Sequence, residues 1–420
     1  MAENKNQVEL TITIPVYGGE GMGRAPDGRA VFVPFALPGE RVAAEIYEDK
    51  RGFARARLLQ VLEPSPSRIQ PRCRHFGVCG GCHYQNLAYA DQLTLKRGLV
   101  REQLTRLGGI ADPPVAACVP SPQEWNYRNH VQFDLDAAGK PGYHAPDSNI
   151  LVPVQECFLP EALIDAIWPT LEFEDNQAVR RVSLRAGHSE DAMIILEGEP
   201  GSPPELAVDF PVSVTYLAGE QAVTLAGDEA LLLRAAGQDF QVSPASFFQV
   251  NTLQAEAMLA HVLELAGPGP LDLVLDIYCG VGLFSAFLAP RARRLIGVEI
   301  SESACRDFAV NLDAFDHVEL MQSSAEAALP VITDRPDLVV VDPPRAGLGK
   351  TVLDAIANLG PARLIYISCD PATLARDAKR LAAHGYALQR VTPFDLFPQT
   401  YHIESVSLFV PTAKTGEDAG

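Results

Sequence analysis

Leu271-Asp-Leu-Val-Leu-Asp276-Ile-Tyr-Cys-Gly280-Val-Gly282-Leu-Phe is an apolar run that ends in a carboxylate and then a glycine turn. Such a run predicts a buried strand, and the pattern after Gly282 predicts a helix. Glycines at the turn let the backbone approach a ligand closely. Arg294-Leu-Ile-Gly-Val-Glu299 reads as a second strand, again ending in a carboxylate, 19 residues past Gly280. In open α/β sheets that offset places an acid beside ribose hydroxyls, and ligands bind outside the carboxyl ends of the strands.

Further strands follow in the same style. Pro336-Asp-Leu-Val-Val-Val-Asp342-Pro-Pro-Arg345 is a third, leading into a rigid Pro-Pro turn. Arg363-Leu-Ile-Tyr-Ile is a fourth, with Cys369 at its carboxyl end and a helix expected after Pro371. A last strand, Ser405-Val-Ser-Leu-Phe-Val410, begins just after Glu404. The full G-x-G-x-x-G is missing, and the short Gly280-x-Gly282 turn favours an S-adenosylmethionine methyltransferase over a dinucleotide enzyme. Asp342-Pro-Pro resembles the (Asp/Asn)-Pro-Pro-Tyr motif of methyltransferases acting on exocyclic amines, with Arg345 in place of the aromatic.

Two residues point to different chemistry. A thiolate is the most nucleophilic side chain near neutral pH, and Cys369 stands where a ligand would. Glu404 lies between apolar residues, where desolvation would raise its pKa into the range a proton acceptor needs. Uracil C5 is a poor nucleophile toward a methyl sulfonium until a thiolate adds at C6 and makes the ring an enolate. A base must then remove the C5 proton so that the cysteine can leave. An amine methyltransferase needs neither group.

The net charge of −19 argues superficially against a nucleic-acid partner, but it is unevenly spread. Residues 1–110 hold 15 Lys and Arg against 11 Asp and Glu. Phosphate contact depends on where cations sit, so an acidic total does not exclude RNA. No apolar stretch is long enough to span a membrane, and no secretory leader opens the chain, so a cytoplasmic protein is expected. Nothing in the sequence requires more than a monomer.

Residues 1–64 read as a small β domain: Val8–Ile14 alternates with period two, Gly18-Gly-Glu-Gly21-Met-Gly23 is a turn-rich break, and three more short strands follow. Lys50-Arg51-Gly-Phe53-Ala-Arg55-Ala-Arg57 is a basic run with an aromatic inside it. Residues 65–240 read as a mostly β central domain. It opens on Cys73-x5-Cys79-x2-Cys82 in a glycine-rich stretch, and Cys157 is the best candidate for a fourth ligand. Four thiolates suit zinc or an iron–sulfur cluster, and His83 leaves a Cys3His zinc site open. A helix is expected over 87–107, docked on the catalytic domain, with Lys96, Arg97, Arg101 and Arg106 toward solvent rather than RNA. Residues 241–420 form the catalytic domain.

Taken together these motifs resemble the RNA uracil-5-methyltransferase family, the 5-methyluridine synthases, and in particular its 23S rRNA branch. The resemblance covers essentially the whole chain. It implies a multidomain α/β protein: an OB-like TRAM barrel touching RNA through Arg51, Arg55 and Arg57, a cluster domain, and a Rossmann-like S-adenosylmethionine domain. It implies a [4Fe–4S] cluster on Cys73, Cys79, Cys82 and Cys157. It implies Gln249, Tyr278, Glu299 and Asp342 at the cofactor, Phe247 in the target-base pocket, Cys369 as nucleophile and Glu404 as base. The expected reaction is C5-methylation of a uridine, in 23S rRNA first and tRNA second, on a base unstacked from its helix. Leu283 departs from the Asn of better-known rRNA members, and Tyr278 from their Phe, which weakens transfer of the nucleotide target.

Overall fold

The computed structural model describes residues 6–146, 148–173, 179–201, 203–207, 209–219 and 221–412. Five strands, β1 (Gln7–Val16), β2 (Glu20–Arg24), β3 (Ala30–Pro34), β4 (Arg41–Asp49) and β5 (Phe53–Glu63), close into a barrel in the order β1-β2-β3-β5-β4. Period-two alternation points Leu10, Ile12, Val31, Val33, Val42, Ala44, Ala54 and Ala56 inward, and the three alanines let so small a barrel fill without overpacking. The stretch read as a turn-rich break is mostly strand β2. Its glycines serve close packing, since a Cβ at Gly23 would stand 2.3 Å from the Thr11 carbonyl. On the barrel's surface Arg55 pairs with Glu20 at 2.8 Å and Arg57 with Glu45 at 2.9 Å.

Helix α1 (Tyr89–Arg106) follows, and then a seven-stranded sheet. The sheet comprises β6 (His130–Leu135), β7 (Pro141–His144), β8 (Leu151–Pro153), β9 (Val179–Ala186), β10 (Ala192–Gly198), β11 (Ser213–Ala218) and β12 (Gln221–Ala226). Its order is β12-β11-β10-β9-β6-β7-β8, with the short helix α2 (Ala162–Ile167) against one face through Ile164 and Ile167. The hairpin β13 (Leu231–Ala235) and β14 (Gln238–Val242) buries Leu231, Leu233, Phe240 and Val242 in the catalytic core.

The catalytic sheet alternates with helices: α3 (Thr252–Ala266), β15 (Leu271–Ile277), α4 (Leu283–Leu288), β16 (Ala292–Glu299), α5 (Glu302–Asn311), β17 (Val318–Gln322) and α6 (Ala325–Ala328). Then come β18 (Leu338–Val341), α7 (Lys350–Leu359), β19 (Arg363–Ser368), α8 (Pro371–Ala383), β20 (Tyr386–Phe394) and β21 (Glu404–Pro411). The order β17-β16-β15-β18-β19-β21-β20 is parallel from β17 to β19, with β21 antiparallel beside β19. Central strands such as Leu338–Val341 are wholly buried because helices cover both faces.

Helix α1 corrects the reading of its lysine. Lys96 is buried, 2.6 Å from Asp395, and also donates to the Phe397 carbonyl at 3.0 Å. The helix packs on α8, burying Leu99, Val100 and Leu104 in the catalytic core. Its period put Lys96 on the apolar face, and the stem follows that period while the ammonium finds a buried carboxylate. Arg97 and Arg101 turn back to the carbonyls of Val115 and Pro113, and Arg106 pairs with Glu102.

Candidate active site

Register assembles the site. Ile277 pairs with Val298 on one side and Val341 on the other, so the next residues, Glu299, Tyr278 and Asp342, stand in a row across three parallel strand ends. On the antiparallel side the ladder ends with Ser368 paired to Ser405, and one residue further Cys369 comes opposite Glu404, whose charge it feels. Five of the seven expected residues therefore gather at one end of one sheet.

The glycine turn is built for close approach. Tyr278 has φ 65°, Gly280 φ 54° and Gly282 φ 93°, and a Cβ at Gly282 would stand 2.4 Å from Leu312. A tyrosine in the left-handed region is held there by the surrounding sheet, here through its N–H on the Val298 carbonyl at 2.8 Å. Glu299 ties the two strand ends together: it accepts from the Gly280 N–H at 3.0 Å and from Ile300 and Ser301 at 2.8 and 2.7 Å. Leu283, at the start of α4, is buried in the core rather than turned to a ligand.

Acid groups dominate the electrostatics. Asp276, buried at the end of β15, accepts from Ser285 Oγ at 2.6 Å, while its Oδ1 is buried without a partner. Burial pushes its carboxyl up to about 6 despite that hydrogen bond. Burial, and then Asp276, push Asp342 up to about 7. Glu404 is driven well above the carboxylate range by burial and then by Asp342, with Arg345 opposing. Cys369 rises to about 12 through burial, then Glu404 and Asp342, again opposed by Arg345. A site crowded with carboxylates, one with an orphaned oxygen, is suited to a cationic ligand.

The corner after β19 shapes the thiol. Ser368 Oγ accepts from the Asp370 N–H at 3.2 Å, and Asp370 caps α8 by accepting from Ala372 and Thr373 at 2.9 Å. Cys369 thus sits just before the positive end of a 13-residue helix. Arg345, after the Pro-Pro turn, reaches His402 Nδ1 at 3.3 Å. Gln249 is buried beside the Asn251 cap of α3, whereas Phe247 is 65% exposed and Phe248 takes the core position. A cleft of about 2060 Å³ lies beyond this edge, between the central sheet and α5, and includes Ser243, Ile300, Ser301 and Gln322. It adjoins Glu299 but not Cys369.

Three of the expected cysteine ligands, Cys73, Cys79 and Cys82, lie on the turns between the barrel and α1, and Cys157 lies on the loop between β8 and α2. Backbone N–H groups of His75 and Gly81 each point at Cys73 and Cys79 sulfurs at 3.4 Å. Cys82 is pushed up to about 12 by burial, with Cys157 and Cys79 adding, and Cys157 to about 11 in the same way. The donors are thus four free thiols with N–H groups on two sulfurs, chemistry that suits a thiophilic centre. Among the described residues, no group of three or more His, Cys, Asp or Glu is drawn together closely enough to hold a metal ion.

Asp276, Arg345 and Tyr17 are the groups at this edge to which the sequence reading gave no role. Asp276 was legible as a strand-end acid. Tyr17 was not, since the fold alone brings it to Cys369.

Comparison with known proteins agrees with this architecture. Residues 217–411 match the model of the tRNA (Uracil-5-)-methyltransferase family, and residues 4–59 that of the TRAM domain. A protein of Chlorobaculum tepidum called an uncharacterized RNA methyltransferase is 32% identical, over 96% of each chain. One of Streptomyces avermitilis with the same description is 34% identical, over 97% of this chain and 99% of its own. The crystal structure of Pyrococcus abyssi tRNA (uracil-54, C5)-methyltransferase with S-adenosyl-L-homocysteine superposes with a TM-score of 0.73 at 25% identity, covering 96% of this chain and all of that one. With relatives at this level along nearly its whole length, the chain belongs to the RNA methyltransferases of the uracil-5-methyltransferase family.

Proposed function

We propose that the protein methylates C5 of a uridine in RNA, with Cys369 as nucleophile and Glu404 as base. The observation that supports this reading is a cysteine one residue past the β19–β21 ladder, close enough to feel the buried Glu404 carboxylate and beside Asp342. Gln249, Tyr278, Glu299 and Asp342 would hold S-adenosylmethionine, which would supply an electrophilic methyl on a sulfonium. A cation held there would favour the ionised forms of Asp342, Glu404 and Cys369. The Cys369 sulfur would bond to C6 of the extruded base, and the C5–C6 π pair would become the enolate through which C5 bonds the methyl carbon as the methyl–sulfur bond breaks and its pair leaves on the neutral thioether. Glu404 then takes the C5 proton, the C6–S bond breaks, and its electron pair returns to Cys369. Arg345, which already opposes the carboxylates at both groups, favours the thiolate and the ionised base.

Cys73, Cys79, Cys82 and Cys157 would hold a [4Fe–4S] cluster with a structural or RNA-positioning role. The target proposed is 23S rRNA. A second reading, tRNA, is favoured by the whole-chain likeness to the Pyrococcus enzyme. Nucleoside mass spectrometry of separated 23S rRNA and tRNA, from cells with and without the gene, decides. Loss of 5-methyluridine from the 23S pool is expected, loss from tRNA alone selects the second reading, and an unchanged content in both defeats the proposal.

A further inference from the structure

The barrel reaches the active site. Its first turn, Tyr17-Gly18-Gly19 between β1 and β2, enters against the catalytic sheet, where Tyr17 packs on that sheet's apolar cluster. The Tyr17 ring meets Tyr401 edge-on at 5.8 Å, and its hydroxyl donates to the Cys369 carbonyl at 3.4 Å. Two glycines permit the approach: Gly18 has φ 114° and Gly19 φ 91°, and a Cβ at Gly19 would stand 2.9 Å from the His83 ring. His83 in turn is edge-on to Tyr401 at 4.6 Å, and its N–H donates to the Gln399 carbonyl at 2.8 Å. The turn is wedged between the corner after β19, which carries Cys369, and the 395–403 segment, which leads into Glu404.

We propose that Tyr17 is a positioning residue for Cys369, so that the RNA-binding barrel also completes the active site. The proposal rests on Cys369 being the nucleophile. Cys369 is the first residue past β19, set opposite Glu404 by the preceding register but held by no ladder pair of its own, and the Tyr17 hydroxyl reaches its carbonyl. Burial and the neighbouring Asp370 keep the Tyr17 hydroxyl protonated, hence a donor. A misplacement of an attacking atom by about 1 Å can cost about 10²-fold in rate, so a wedge at this corner has leverage on chemistry. Because Tyr17 continues directly from β1, whatever shifts the barrel on RNA shifts the nucleophile too.

The test uses the full chain with its RNA. Tyr17→Ala should lower kcat about tenfold or more while KM for RNA changes less than threefold. It should also change the rate at which iodoacetamide alkylates Cys369 in the RNA-free protein. Tyr17→Phe keeps the ring in the wedge but loses the donor to the Cys369 carbonyl, and should recover kcat only in part. Gly19→Ala moves the turn without touching Tyr17, and should reproduce the kcat loss and the altered alkylation. Wild-type kcat and alkylation in all three variants, with only KM raised, would overturn the proposal and leave the turn as RNA surface. Should the wild type fail to methylate uridine, the alkylation arm still reads the Tyr17–Cys369 contact by itself, so the two failures are distinguishable.

Discussion

The catalytic edge and the cysteine turns both gather reactive side chains from distant parts of the chain, but by different means. At the catalytic edge, hydrogen-bond register places Glu299, Tyr278 and Asp342 in one row and Cys369 opposite Glu404, so their spacing is inherited from buried strands. At the cysteine turns no ladder sets the spacing. Cys73, Cys79 and Cys82 hang on loops, with backbone N–H groups turned to two of the sulfurs. A site inherited from register is present before its ligand arrives. One hung on loops depends on its ligand to draw it together.

The sharpest way to break the comparison is Cys369→Ala, which should reduce methyl transfer by roughly 10⁴-fold or more in a single-turnover assay. The sheet should survive it, since Cys369 lies beyond the last ladder pair. Glu404→Gln should lower turnover about 10²- to 10⁴-fold and accumulate a covalent protein–RNA adduct, visible as a shifted band on a denaturing gel. The same variant removes the leading charge that holds the Cys369 thiol up, so the midpoint of its alkylation-against-pH curve should move down.

Lys96→Met probes how the catalytic edge is held from outside. It leaves Asp395 buried without its cation and should cost about 3–5 kcal/mol in denaturant unfolding, and Asp395→Leu added to it should recover most of that.

A smaller effect tests the electrostatics. Asp276 and Asp342 have carboxyls raised to about 6 and about 7, so between about pH 4 and 7 the folded protein binds more protons than the unfolded one. The stability of the ligand-free protein should therefore fall as pH rises through that window. S-adenosylmethionine affinity should rise over the same window, by about tenfold, with proton release visible by calorimetry in two buffers. Cys157→Ser should have the least effect on the chemistry. It should prevent iron and sulfide uptake on anaerobic reconstitution while leaving Cys369 alkylation unchanged.

Much of this protein is legible in one dimension. Local pattern sets strands, and strand ends carry the chemistry, so Asp276, Glu299, Asp342 and Cys369 could be picked out as strand-end groups before any fold was known. Glu404 was legible because it stands among Ile403, Val406 and the apolar residues of a last strand, where desolvation raises a carboxyl. The cysteine spacing pointed to a thiolate centre, yet among the described residues those thiols are not drawn together closely enough to hold a metal ion. Lys96 shows the limit. Its period placed it on the apolar face and its charge placed it in water, and only Asp395, 299 residues away, resolved the conflict.

The sequence by itself determined the barrel and the alternating α/β sheet and singled out Cys369 and Glu404 as candidates, because short-range periodicity and side-chain chemistry specify them. Tertiary structure alone decided that Cys369 faces Glu404 in register and that Phe247 stands exposed. It alone decided that a tyrosine from the first barrel turn reaches the Cys369 carbonyl. The physical reason is range: periodicity reports what a residue wants to bury, while register and long-range packing decide which partner it meets.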